Sequence, residues 1–182
     1  DVRLFDVKDR VSGAHLGSFY TDLHPRPGKF GHAMAWPVTL ARRGRTGQRE
    51  GGVSAIVANL PRSTPAESAR LRHDDVDLLF HEFGHVLHEV LGTNAYYGTS
   101  MEGMESDFPE AISQIMENWA WAPTILVRVS RHHEHGASMP IELAERVAAS
   151  RTVNLGSRYL GIFAGPGEFD LSIHSPVVVD LD

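Results

Sequence analysis

The sequence predicts an α+β fold in which a small N-terminal sheet precedes a mainly helical part. Two observations carry this. Short runs of β-branched and aromatic residues, broken by Gly and Pro, fill positions 1–62. From position 74 to about 165 the apolar residues instead recur every three or four positions. Strands that come first and helices that come after make α+β, not alternating α/β.

The strand signals come in order. Val2–Val7 alternates polar and apolar residues, and Leu16–Leu23 holds Phe19 and Tyr20 before the turn His24-Pro25-Arg26-Pro27-Gly28. Phe30–Trp36 and Val53–Leu60 complete the set. One of these last two is expected to be an edge strand beside the site described below, where an extended peptide could pair with it. The stretch between them carries Arg42, Arg43, Arg45 and Arg49 among glycines, with no aromatic residue to stack on bases. It reads as a mobile, solvated hairpin loop.

A first helix is expected from Asp74 to Leu91, with Asp74 or Asp75 as N-cap and Gly92 as C-cap. Its core stripe is Val76, Leu79, Phe80, Phe83, Leu87 and Val90. A second runs from about Ser106 to Trp121, with Pro109 in the first turn and Phe108, Ile112, Ile115 and Trp119 as its stripe. Further helical stretches lie near Pro123–His132 and Pro140–Phe163, and a tail follows from Asp170.

With 182 residues the chain is long enough for one core, and 42% apolar and 22% charged residues are ordinary for a globular protein. A net charge of −6 argues against nucleic acid. There is no cysteine, so disulfides, thiolate ligands and a cysteine nucleophile are excluded. No apolar run approaches the roughly 18 residues of a membrane span, and no signal peptide is visible. We expect no membrane partner and a cytoplasmic location. The first residue is not Met, which suggests processing or a longer parent chain.

The decisive residues are His81-Glu82-Phe83-Gly84-His85. At about 100° per residue, positions four apart lie about 40° apart on one helix face, so both imidazoles can reach one ion. Zn²⁺ takes neutral nitrogen ligands and keeps a position open when the protein supplies three. It lowers the pKa of a bound water to roughly 7, and Glu82 can take that proton and hand it to a leaving amine. One zinc per chain is expected. Gly84 costs about 1 kcal/mol in mid-helix, so a close approach should repay it. His88 shares the face one turn on and suits packing or support. The metzincin pattern places a histidine at the position held here by Leu91.

The third ligand must come from elsewhere, and Glu102, Glu105, Asp107 and Glu110 are all candidates. Glu110 has the most rigid support, in the first turn of the second helix. Glu117 lies on nearly the same face and could accept a hydrogen bond from a ligating histidine, or could be a surface glutamate. His132-His133-Glu134-His135 reads as a solvated turn.

These residues resemble the M3 peptidases. The matching stretches are Asp22–Ala33, Phe80–His88 and Asp107–Trp119, with a weaker echo in Phe169–His174. The resemblance implies a zincin-like catalytic core over residues 1–182, cut from a longer chain on both sides. It implies Glu110 as third ligand beside His81 and His85, Glu82 as catalytic base, and short oligopeptides as substrates. Full-length members add a C-terminal segment with a histidine and tyrosines that line the active site. None follows His174, and Tyr96 and Tyr97 read more simply as loop aromatics. The rival reading is therefore a zinc-binding fragment that folds without cleaving and serves as a binding or structural module. A third reading, an acidic interaction domain, leaves the histidine spacing unexplained.

Overall fold

The computed structural model describes residues 2–92, 103–105 and 108–175. Six strands precede the helices: β1 (Arg3–Lys8), β2 (His15–Asp22), β3 (Met34–Thr39), β4 (Arg42–Arg43), β5 (Arg49–Glu50) and β6 (Gly52–Val57). The α+β expectation holds. The main sheet is mixed, in the order β1-β2-β6-β3, with β2 and β6 parallel and the other pairs antiparallel.

Of the two strands expected at an edge, β3 is the edge strand and β6 is central. The placement has a simple cause. Pro37 lacks an N–H, which an edge strand tolerates and a central one does not. The third strand signal also shifts: Phe30–Ala33 stays in a loop and the strand begins at Met34. That loop is tied down. The buried Lys29 ammonium donates to the carbonyls of Asp22, His24 and Ala58 and to the Asp22 carboxylate. Asn59 Nδ2 reaches the carbonyls of Phe30 and Gly31.

Helix α1 (His73–Leu91) lies across the sheet, as the residue period requires. Its core contacts are Val86 and Val90 against Ile56, with Phe83 edge-on to Phe19 at 5.5 Å. The expected stripe holds at Phe83 and Val90 and omits Val86. Val86 is fully buried, while Val76, Leu79 and Phe80 line a cavity of about 810 Å³ shared with Leu126 and Val129. The N-cap is Arg72, not Asp74 or Asp75. Asp75 serves instead from the third helical position, accepting the Arg72 backbone N–H at 2.8 Å.

The Arg-rich stretch forms a small hairpin of β4 and β5, but it is not all solvated. Arg49 donates to the carbonyls of Val90 and Gly92 at the end of α1 and of Leu16 in β2. A guanidinium satisfies several orphan carbonyls of a helix end at once, where the helix dipole also favours a cation. Arg42 pairs with Glu50 at 2.7 Å.

Helix α2 (Pro109–Ala120) packs on α1, and α3 (Pro123–Val129) and α4 (Ile141–Ser150) follow as a pair. Of the stripe expected for α2 only Ile112 is partly buried: Phe108, Ile115 and Trp119 are all more than half exposed, and Ser113 and Ala120 are buried. The buried face is chosen by small residues, because α1 and α2 approach too closely for large ones. The fourth helical stretch is broken: α4 ends at Ser150, and a turn with Asn154 at positive φ leads to α5 (Leu155–Tyr159). A π-helical turn (Leu160–Ala164) and α6 (Gly165–His174) follow, so the expected tail is helical as far as His174. Among the described residues no helix is long and apolar enough to cross a membrane.

Candidate metal centre

The site is built where α1 and α2 touch. A glycine at position 84 removes the side chain that would keep the helices apart, and a Cβ there would meet the Ser113 backbone. This contact brings the first turn of α2 over the histidines of α1. His81 Nε2 lies 3.1 Å and His85 Nε2 lies 3.4 Å from the same atom, Glu110 Oε2. The donor atoms of these three residues all fall within 4.8 Å of one another, a group that could hold a metal ion.

The chemistry of the donors fits a cation. Glu117 Oε1 lies 2.8 Å from His81 Nδ1, so the proton of a neutral His81 sits on Nδ1 and Nε2 offers a lone pair. A lone pair facing a carboxylate oxygen at 3.1 Å is repulsive unless a positive charge lies between them. Ligands about 2.0–2.1 Å from a tetrahedral zinc stand about 3.3 Å apart, which matches the two separations. Burial pushes the His85 pKa down, which favours the neutral ring, while Glu110 opposes the shift. Its Nδ1 is buried with no hydrogen-bond partner among the described residues, so its tautomer is set by what lies at Nε2.

Ser113, which sequence reasoning missed, steadies the carboxylate. Its Oγ lies 2.8 Å from Glu110 Oε2 and 2.9 Å from the Glu110 carbonyl, a hydroxyl three positions on and fully buried. The only signal in the sequence is local, a small polar residue one turn after the acid.

Glu82 is buried beside the group. Burial raises its pKa first of all, with Glu110 adding to the rise, while His81 and a hydrogen bond from the Ala35 backbone N–H oppose it. Ala35 belongs to β3, so the edge strand stands directly against this carboxylate.

Other candidates fall outside the group. Glu105 is exposed, and its carbonyl accepts the Phe108 N–H at 3.1 Å. His88 is half-buried and burial lowers its pKa, in keeping with a packing role. His132 and His135 stack at 3.7 Å in an exposed turn. Tyr96, Tyr97, Glu102 and Asp107 lie outside the described residues.

The family model for peptidase family M3 matches residues 1–180. The thimet-like oligopeptidase of Dictyostelium discoideum is 36% identical over 178 residues, covering 96% of this chain and 26% of that protein. Oligopeptidase A of Escherichia coli is 37% identical over 152 residues, covering 83% of this chain and 22% of that protein. Dipeptidyl carboxypeptidase of Escherichia coli is 36% identical over 156 residues, covering 86% and 22%. The chain thus spans about a quarter of the length of these relatives.

Proposed function

Since this chain belongs to peptidase family M3, we propose that it is the zincin-like catalytic core of a zinc metallopeptidase acting on short oligopeptides. His81, His85 and Glu110 hold one Zn²⁺, Glu117 fixes the His81 ring, and Glu82 is the general base. The chain forms a single core over residues 1–182 within a longer enzyme. The observation that carries the reading is the meeting of both Nε2 atoms on Glu110 Oε2 while Glu117 takes His81 Nδ1.

When bound, the metal supplies a Lewis acid and a water acidic enough to lose a proton near neutral pH. The rest falls to the chain. Glu82 accepts that proton on its carboxylate and returns it to the leaving amine. Burial, which raises its pKa, makes this carboxylate a stronger base than an exposed one. The Ala35 N–H anchors the carboxylate, and β3 offers an open edge on which an extended peptide can pair. The net charge of −6 disfavours nucleic acid as a partner, and the reading keeps the chain in the cytoplasm, which cell fractionation tests.

Peptide hydrolysis by the purified chain, stripped with chelator and restored with Zn²⁺, tests the proposal. Cleavage that disappears and returns with the metal supports it. Zinc binding without cleavage favours the rival reading of a binding or structural module. A folded chain that takes up no zinc removes both.

A further inference from the structure

The hydrogen bond to His81 is the first link of a longer chain of contacts. Glu117 uses Oε1 for His81, and its Oε2 lies 3.7 Å from Arg151 Nη2, an ion-pair distance. Arg151 stands at the C-terminal end of α4, far along the sequence from the histidine motif. Its Nη1 donates to Asn118 Oδ1 at 2.5 Å, and its guanidinium carbon lies 5.6 Å from the Trp121 ring centroid. Trp121 is held in turn: Nε1 donates to Asp77 Oδ1 at 3.0 Å, and His73 packs edge-on at 4.0 Å. One planar cation thus touches Glu117, Asn118 and Trp121, all at the C-terminal end of α2.

The electrostatics show why a cation belongs there. Burial raises the pKa of Asp77 first of all and Glu117 adds to the rise as a like charge, while the Trp121 hydrogen bond and the opposite charge of Arg151 oppose it. Two carboxylates on facing helices would repel and turn apart. A guanidinium pinned by an amide and an indole cannot follow a rotating carboxylate, so it favours one orientation of Glu117. That orientation aims Oε1 at the His81 ring.

We propose that Arg151 is a positioning residue for the metal centre, acting through Glu117 to fix the His81 ring. The proposal rests on the reading of His81 as a metal ligand. Arg151→Met keeps an apolar stem against Trp121 and removes the charge. Partners one step removed from a metal ligand commonly change affinity tenfold or more, and a residue one step further should change it by at least about threefold.

The test is a double-mutant cycle on Zn²⁺ affinity, read by competition with a chromophoric chelator. The four chains are the parent, Arg151→Met, Glu117→Gln and the double variant. Arg151→Met should weaken zinc binding in the parent and change it little once Glu117→Gln has removed the charge it acts on. Equal weakening in both backgrounds would assign Arg151 a purely structural role and overturn the proposal, as would no weakening in the parent. Where circular dichroism shows that Arg151→Met does not fold, Arg151→Lys takes its place in the cycle. It keeps the charge but loses the planar fork, so the same pattern is expected at smaller size. A folded parent that binds no zinc overturns the functional reading itself, which separates that failure from this one.

Discussion

A Cβ built on Gly84 would lie 2.6 Å from the Cα of Ser113 and 3.1 Å from the Ile112 carbonyl oxygen. The atoms met are backbone, which cannot step aside as a side chain can. The contact explains a glycine in the middle of a helix that also carries the histidines.

Gly84→Ala should therefore push α2 off α1 and take Glu110 with it. Alanine recovers about 1 kcal/mol of helix propensity, against an overpacking cost of about 1–3 kcal/mol. The sharper readout is metal affinity, expected to fall at least about tenfold as the third donor moves away. Urea unfolding and zinc titration check this. A variant that binds zinc like the parent would show that the helix contact does not set the site.

Arg49→Met separates stability from the site. The side chain caps the carbonyls of Val90 and Gly92, at the C-terminal end of α1 beyond His85 and His88, and that of Leu16 in β2. Losing charge-assisted bonds to these carbonyls should cost about 1–3 kcal/mol in urea unfolding. Zinc affinity measured well below the unfolding midpoint should not change. A large loss of affinity would mean that the helix end and the metal site are coupled.

The parts of this architecture legible in the sequence were those written in local spacing. His81 and His85 announce one helix face, and the switch from alternation to a three-to-four period announces α+β. What the sequence hid was set by contact between elements. Val86 was passed over between two histidine positions, yet it is the fully buried centre of the core. Phe108, Ile115 and Trp119 looked like the buried face of α2, but the Gly84–Ser113 contact gives that place to small residues. Arg49 looked solvated because its carbonyl partners lie more than thirty residues away in sequence. Glu117 reads from the sequence equally as a surface or a supporting glutamate, because the His81 Nδ1 that lies 2.8 Å from its Oε1 is thirty-six residues away.

Glu82→Gln should keep zinc and lose peptidase activity. The amide retains the shape and can still accept the Ala35 N–H, but it cannot take up a proton. A fall in kcat of at least about 100-fold with zinc content unchanged is expected, as general bases contribute about 10²–10⁴. Equal cleavage by variant and parent would remove Glu82 as the proton acceptor.

His88 predicts a pH dependence for the metal-free chain. Burial lowers its pKa in the folded state. As pH falls, the unfolded chain therefore takes up the proton first, and folding weakens. The contribution of neutral His88 is complete above the ordinary histidine value of about 6.5 and is lost as pH falls through the lowered folded value. Glu82, with a raised pKa, acts with opposite sign at lower pH, so the comparison must be differential. The stability difference between parent and His88→Gln, from urea unfolding at several pH values, should fall on acidification below about pH 6.5. A flat difference would mean that folding leaves the His88 pKa unchanged, and one that grows would mean that His88 gains a proton on folding; either would overturn the expectation.

The choice between Glu105 and Glu110 as third ligand rests on where each carboxylate is held. Glu110 sits in the first turn of α2, and Ser113 Oγ lies 2.8 Å from its Oε2. That same oxygen faces both histidine Nε2 atoms. Glu105 is exposed, precedes the helix and stands outside the group of donors. A ligand already oriented loses less freedom when it binds, so Glu110 should dominate the affinity. Glu110→Ala should weaken zinc binding by two orders of magnitude or more, roughly the loss of one charged donor of three. Glu105→Ala should change it by less than about twofold, since surface substitutions away from such a feature are usually small. Both variants should unfold near the parent in urea without metal, so that affinity and folding are read apart. The reverse order of affinities would move the third ligand to Glu105 and would leave the meeting of His81, His85 and Glu110 without a chemical purpose.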